Sequence, residues 1–266
     1  MNRRRFLGKF AFCAASGLFL PTVRALPPLI QRRLNPPVKK AAVAAVANPT
    51  PVGWWKLDDA SGTSAIDSSP NSNTGTLKPA AGEGAWGTGH IGGALNFNGT
   101  TQYVLLGNIS ALSLVTGTAC VWCYLASAVD LTTSVVVSKI NGQTDRNGWS
   151  MLLEAYGIEA YFGSASSYQF SLVYNHVVSF PSNTWFHVAM KWNGTNITGY
   201  YNGDVKTPIS QTVIPTTGTN LAYIGRADVN TGWYFGHGTS GLLDDVRVYS
   251  DLLTDAQVLS IYNGTM

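Results

Sequence analysis

Residues 186–204 read FHVAMKWNGTNITGYYNGD. In its first half Phe186, Val188, Met190 and Trp192 alternate with His187, Ala189 and Lys191, and a period of two puts each set on its own face of a strand. The following Trp192-Asn193-Gly194-Thr195 supplies a tight turn, because Asn-Gly tolerates the left-handed backbone of hairpin loops. Residues 197–201 make the return strand, and Tyr201-Asn202-Gly203-Asp204 turns the chain again. This stretch predicts a hairpin meander, the unit of an antiparallel sheet.

Working outward, similar runs occupy residues 52–57, 94–97, 103–106, 119–125, 134–139, 150–154, 158–162, 168–173, 221–225 and 242–249, separated by Gly, Asn, Asp, Ser and Pro clusters. About a dozen strands without a long helix between them define an all-β chain folded as a two-sheet antiparallel sandwich. Composition agrees: 12% charged residues are too few to solvate many helix faces, and 45% hydrophobic residues are too many for a disordered chain. One helix is expected, over residues 255–262. Thr254 and Gln257 form a capping box, Leu253 and Val258 a hydrophobic staple, and Val258, Leu259, Ile261 and Tyr262 an apolar side.

Upstream of the sandwich the chemistry changes. Residues 1–25 combine a cationic start (RRRFLGK), an apolar run over 10–20 and a small residue at Ala25 preceded by Val23, which reads as an export signal. Arg3-Arg4 followed by Arg5-Phe6-Leu7 resembles a twin-arginine signal and implies a bacterial envelope or extracellular destination. Its apolar run of eleven residues is shorter than the roughly 20 that span a bilayer, so no membrane span is expected in the mature form. Residues 26–51 carry proline pairs, an Ala/Val tract and basic residues without amphipathic period, as a linker does. The domain from 52 to 266 then holds eight basic residues against all fourteen acidic ones, a balance of −6, which argues against a nucleic-acid partner.

Only Cys120 and Cys123 lie in that domain. On a strand, residues three apart project to opposite faces, so this CxxC predicts packing rather than a disulfide or a zinc site.

Four ordered blocks carry a resemblance. WWKLDDASGTSAIDSSPNSNTGTL (residues 54–77) has a Trp-x-Leu-Asp opening with a later Asp-Ser and polar loop. GGALNFNGTTQYVLL (92–106) is a strand pair, and TWFHVAMKWNGTNITGYYNG (184–203) is the meander above. YIGR (223–226) is followed by GLLDDVRVYSDLLTDAQVLSIY (241–262). Together they resemble the laminin-G-like, concanavalin A-like jelly roll of exported bacterial proteins. The resemblance implies a jelly-roll sandwich; its functions range over lectin-like, adhesive, enzymatic and architectural roles.

Glucanases of this superfamily carry carboxylates on alternate residues of one strand. The only glutamates here, Glu83, Glu154 and Glu159, form no such array, and the four histidines are scattered, so no enzyme is expected. A metal is considered at Asp244. In residues 242–249 it shares the alternation of Leu242, Val246 and Val248, and a carboxylate on a core face must be paired, hydrogen-bonded or metal-bound. Asp67 and Asn73 of the polar loop 67–73 could complete a set of hard oxygen ligands for structural Ca²⁺, which the resemblance also implies. Alternatively Asp244 accepts backbone N–H groups and Asp67 starts an Asx turn.

Sugar rings stack on aromatic side chains placed in loops. The best loop is 228–237, with Asn230, Trp233 and Tyr234; the second is 141–149, with Asp145, Arg146 and Trp149. Trp55, Trp122 and Trp192 are assigned to the core by their alternation with Leu57, Cys120 and Met190. The expectation is an exported, non-catalytic, lectin-like module that takes a glycan or a cell-surface protein through rim loops. The competing class is a structural or protein-interaction domain of the cell envelope.

Overall fold

A computed structural model of the chain describes residues 48–79, 85–126, 134–140, 147–155, 157–165, 167–175, 180–216, 218–227, 235 and 241–266. The expected export signal, most of the expected linker, and Asp145, Arg146, Asn230, Trp233 and Tyr234 lie outside them.

The strands run in chain order as β1 (Gly53–Trp55), β2 (Ser64–Ala65), β3 (Gly75–Lys78), β4 (Trp86–Thr88), β5 (Gly93–Phe97), β6 (Tyr103–Gly107), β7 (Gly117–Leu125), β8 (Ser134–Ile140) and β9 (Gly148–Glu154). They continue as β10 (Gly157–Ser164), β11 (Ser167–Asn175), β12 (Trp185–Trp192), β13 (Asn196–Tyr201), β14 (Asp204–Val205), β15 (Ile209–Ser210), β16 (Ala222–Ile224) and β17 (Gly241–Tyr249), followed by helix α1 (Asp255–Tyr262). Every strand expected from the sequence forms, with ends within two residues of the expected ones. The short β2, β3, β4, β14 and β15 were not anticipated.

All pairings between these strands are antiparallel. One sheet has the order β14-β13-β12-β7-β17-β5-β4, with β1 on β17 and β15 on β13; the other runs β11-β10-β9-β8-β16-β6-β3-β2. The jelly-roll sandwich expected from the sequence is thereby observed. Its interior is one apolar cluster in which Val121, Val188, Met190, Trp192, Leu243 and Val248 of the first sheet meet Val137, Met151, Leu153, Ala160, Phe162 and Ile224 of the second.

The outer face of the first sheet is covered by α1. Val258 and Ile261 bury themselves against Cys120, Ala189, Tyr200 and Tyr249, with Leu253 completing the patch. The capping box is present in both directions: Gln257 N–H donates to Thr254 Oγ1 at 3.2 Å, and Thr254 N–H donates to Gln257 Oε1 at 2.8 Å. Leu259 stays 44% exposed, so it takes no part in the buried side of α1. Cys120 faces the helix while Cys123 faces the interior, so the two thiols sit on opposite faces as the period of two requires.

Trp122 lies on this outer face as well, not between the sheets. His90 stacks on it with ring centroids 3.5 Å apart, and Tyr262 of α1 and His187 of β12 adjoin it at 5.4 and 5.3 Å. Alternation placed Trp122 with Cys120 correctly; it could not tell that α1 and the chain around His90 would bury that face too.

Candidate functional site

Two places on the sandwich combine exposure or orphaned polarity with chemistry. The first is a gap in the first sheet. Strand β17 pairs with β5 through Gly241–Leu243 and with β1 through Val246–Val248, and its register on β7 shifts between Asp244 and Arg247. Asp245 adopts φ 51°, the left-handed backbone of a bulge. The extra residue resets the alternation: Leu243, Val246 and Val248 point inward, and Asp244 turns to the outer face. The expectation that Asp244 shares a face with Val246 and Val248 is corrected here, because one bulged residue reverses every side chain beyond it.

At this bulge the chain after β1 and the loop before β5 converge in a cleft of about 160 Å³ lined by Trp54, Lys56, Asp58, Ile91, Asp244, Asp245 and Arg247. Asp245 is held by Trp54 and by an ion pair with Arg247, although its buried Oδ2 has no hydrogen-bond partner. Its Oδ1 accepts from Trp54 Nε1 at 2.6 Å and Arg247 Nε at 3.0 Å, and Arg247 Nη2 lies 2.9 Å from Oδ2. Arg247 also stacks over the Trp54 ring at 4.6 Å and donates to the Met266 carbonyl at 2.8 Å.

Asp244 is less well served. Its Oδ2 accepts the Ile91 N–H at 2.8 Å, while its buried Oδ1 has no hydrogen-bond partner. Burial pushes its carboxyl up to about 7, helped by the charges of Asp245 and Asp58 and opposed by the Ile91 N–H. Asp58 accepts the N–H of Gly93 on the other side of the same loop. The loop therefore threads between two carboxylates and is tight: a Cβ on Gly89 would collide first with the Gly93 carbonyl and then with Asp244 Oδ2, and Gly92 has φ 70° and room for no Cβ beside Asp58 Oδ1.

The residues expected to complete a metal site are used otherwise. Asp67 Oδ1 accepts the N–H groups of Trp54 and Ser69, and its Oδ2 accepts Ser69 Oγ and the Asn73 N–H, each at 2.8 Å. Asn73 gives its carbonyl to Trp55 Nε1 at 3.0 Å. Asp67 thus closes the polar loop onto β1 as an Asx turn. Asp67 and the Asn73 backbone are thereby committed within the polar loop, and among the described residues no three His, Cys, Asp or Glu side chains converge closely enough to hold a metal ion.

The second place is the outer face of the eight-stranded sheet at its β11 edge. Tyr168, Phe170 and Leu172 alternate along β11 and are 50%, 40% and 38% exposed. Tyr161 of β10, directly opposite Phe170, is buried beneath them. Its ring lies 4.6 Å edge-on from Phe170 and 6.3 Å from Tyr168, nearly parallel to it at 12°. Gln169 alternates to the other side and ties β11 to the 210–213 segment: Nε2 donates to the Ser210 carbonyl, and Oε1 accepts from the N–H groups of Thr212 and Val213. That anchor holds the aromatic side of β11 outward.

Glu159 follows Tyr161 two residues upstream on the same face, between Leu152 of β9 and Leu172 of β11. Burial pushes its carboxyl up to about 7, and a hydrogen bond and the negative charge from Glu154 push the same way.

Of the rim residues expected to contact ligand, Trp149 is described, and it is corrected. It is 1% exposed, packs against Trp192 at 5.0 Å and donates its Nε1 to the Leu112 carbonyl at 2.9 Å. Its position on β9 turns the ring inward. Seeking ligand contacts in loop aromatics passes over the β11 strip; the signal present is the run Tyr168-x-Phe170-x-Leu172 with Gln169 and Ser171 between.

The sequence profile of the concanavalin A-like lectin/glucanases superfamily matches residues 98–259, and the chain belongs to that superfamily. No curated protein matches the sequence. Among solved structures, the chain is similar to domain 4 of AbnA, a GH43 extracellular arabinanase from Geobacillus stearothermophilus, in complex with arabinotriose. Identity is 18% and the TM-score 0.62, over 81% of this chain and 99% of that one. It is also similar to the binding domain of Paraclostridial Mosquitocidal Protein 1, at 15% identity and TM-score 0.61, over 81% and 52% of the two chains. A third is the botulinum neurotoxin serotype D ligand binding domain in complex with N-acetylneuraminic acid, at 15% and 0.57, over 82% and 51%. The chain spans about half the length of these toxin domains. Among the described residues, no helix is long and apolar enough to cross a membrane.

Proposed function

We propose that the protein is an exported, non-catalytic glycan-binding module whose ligand lies along Tyr168, Phe170 and Leu172. The observation that carries this reading is the exposed aromatic strip on an open sheet face, backed by Tyr161 and anchored from behind by Gln169. Sugar C–H faces stack on such rings, and a rigid strand presents them with little ordering cost on binding. Oligosaccharide in the similar arabinanase domain supports it. Among the described residues the acidic pair at the bulge does not suit hydrolysis, because the loop before β5 occupies the space between Asp58 and Asp244. The cationic start and apolar run of residues 1–25, read as an export signal, support an envelope or extracellular location.

Calorimetric titration with arabinotriose and other neutral oligosaccharides tests this reading. Binding that Phe170→Ala and Tyr168→Ala abolish, at unchanged melting temperature, is the expected result. Silence toward all glycans with concentration-dependent self-association through β11 would favour the protein-interaction class instead.

The calcium proposal is kept at Asp244, whose orphaned Oδ1 would take one coordination position and whose buried charge the ion would compensate. A melting temperature indifferent to both calcium and chelator, in the parent protein and in Asp244→Ala, ends that part of the proposal.

A further inference from the structure

Apart from the bulge and the aromatic strip, a cavity of about 300 Å³ lies on the first sheet between the β12–β13 turn and the segment that leads into α1. Pockets for small molecules begin at about this volume. Both of its walls are tied down. On the turn side Asn193 Oδ1 accepts the N–H groups of Thr195 and Asn196 at 2.9 and 2.7 Å, and Gln211 Oε1 accepts the Gly194 N–H at 2.8 Å. On the other side Thr118 Oγ1 donates to the Asp251 carbonyl at 2.9 Å and accepts the Leu253 N–H at 3.1 Å, while Lys191 Nζ donates to the Leu253 carbonyl at 3.3 Å. The space is therefore fixed before anything enters it, which lowers the ordering cost of binding.

The polar groups on its lining are those these bonds leave over. Thr198 pairs with Lys191 across β12 and β13 and shares its outward side, whereas Ile197 belongs to the interior. Thr198 lines the cavity and is only 4% exposed, yet its hydroxyl makes no hydrogen bond with any described residue. A buried polar group without a partner calls for an explanation, and a ligand hydroxyl supplies one. Asn193 commits its side-chain oxygen to the turn and keeps both amide N–H groups, and Asn196 keeps its whole side-chain amide. Leu252, 46% exposed, adds apolar surface. Lys191 is the one charged residue on the lining, and Asp255 Oδ1 neutralises it at 2.7 Å.

We infer that this cavity is a second ligand site, for a single neutral sugar ring. Its amide N–H groups, amide oxygen and hydroxyl together donate to and accept from sugar hydroxyls, and Leu252 meets the C–H surface between them. An anionic ligand finds Lys191 already held by Asp255, and a cationic one finds no carboxylate on the lining. The site is independent of the strip, which lies on the other sheet.

The test is proton–nitrogen correlation NMR of the purified protein titrated with arabinose, galactose, glucose and mannose, and with glucuronate and glucosamine as charged controls. The side-chain amide signal of Asn196, identified by its disappearance in Asn196→Ala, reports on the cavity. At least one neutral sugar is expected to shift it with a dissociation constant of about 1 mM, and both charged sugars to bind at least about tenfold more weakly. Thr198→Val removes the hydroxyl and should weaken the neutral sugar about tenfold at an unchanged melting temperature, while Thr198→Ser keeps the hydroxyl and should stay within about threefold of the parent protein. Phe170→Ala should leave the titration as it is. No shift with any of the neutral sugars up to about 50 mM, equal binding of glucuronate or glucosamine, or an affinity unaltered in Thr198→Val overturns the inference. Shifts lost in Phe170→Ala overturn it as well, since the cavity would then be no separate site. Silence of the strip toward oligosaccharides, with the Asn196 signal still moving, fells the strip assignment and supports the cavity.

Discussion

Replacing Asp67 with alanine discriminates sharply between a loop organiser and a calcium ligand. Its carboxylate is 5% exposed and accepts four hydrogen bonds, three from the backbone N–H groups of Trp54, Ser69 and Asn73 and one from Ser69 Oγ. A hydrogen bond to a charged group is worth about 1.5–3 kcal/mol, and an orphaned buried N–H costs about 1–3 kcal/mol. These figures overlap and part of the loop can reach water once the carboxylate is gone, so the net cost is about 3–5 kcal/mol. For a domain of this size that corresponds to a fall in melting temperature of roughly 10 °C. Asp67→Asn keeps an acceptor at Oδ1 for Trp54 and Ser69 and should cost about half as much. The assay is calorimetry and urea unfolding, each with excess calcium and with chelator. A loop organiser gives the same loss in both media. A loss below about 1 kcal/mol, or one seen with calcium and absent with chelator, would refute the reasoning.

Three further outcomes follow from local geometry. Gly148→Ala should cost more than about 3 kcal/mol, because φ there is 112° and a Cβ would lie 1.9 Å from the Lys139 carbonyl oxygen; chemical denaturation measures it. Asp255, held below the usual carboxylate value by Lys191 and Tyr200, adds stability that is present above its ordinary value of 3.8 and lost as the pH falls below it. Because that side chain is 59% exposed, Asp255→Asn should cost no more than about 1 kcal/mol at pH 7, and the difference from the parent protein should vanish in acid. Burial pushes the Cys120 thiol up to about 12 and raises Cys123 well above its ordinary value, so a thiol reagent should label both only at the rate of unfolding; rapid labelling of the folded protein would contradict their packing.

Much of the fold was legible because the signals are local. A period of two along Phe186–Trp192 states which side chains share a face, Asn-Gly states where the chain turns, and Thr254 with Gln257 states where the helix begins. The same period predicted that Cys120 and Cys123 would part, and they do.

The candidate sites were less legible, for a reason visible in two residues. Asp244 carries the alternation of a core position, and the bulge at Asp245 that turns it outward arises where β17 exchanges β5 for β1, partners more than a hundred residues distant in the chain. Phe170 looks like any strand aromatic. It is exposed because β11 ends a sheet order that no neighbouring residue encodes. Sequence alone therefore determined the strands, their faces and the capping of the helix, since each depends on residues a few positions apart. Tertiary structure alone decided which face is buried twice, which strand is left at an edge and which carboxylate loses a partner, since those depend on pairing between segments far apart.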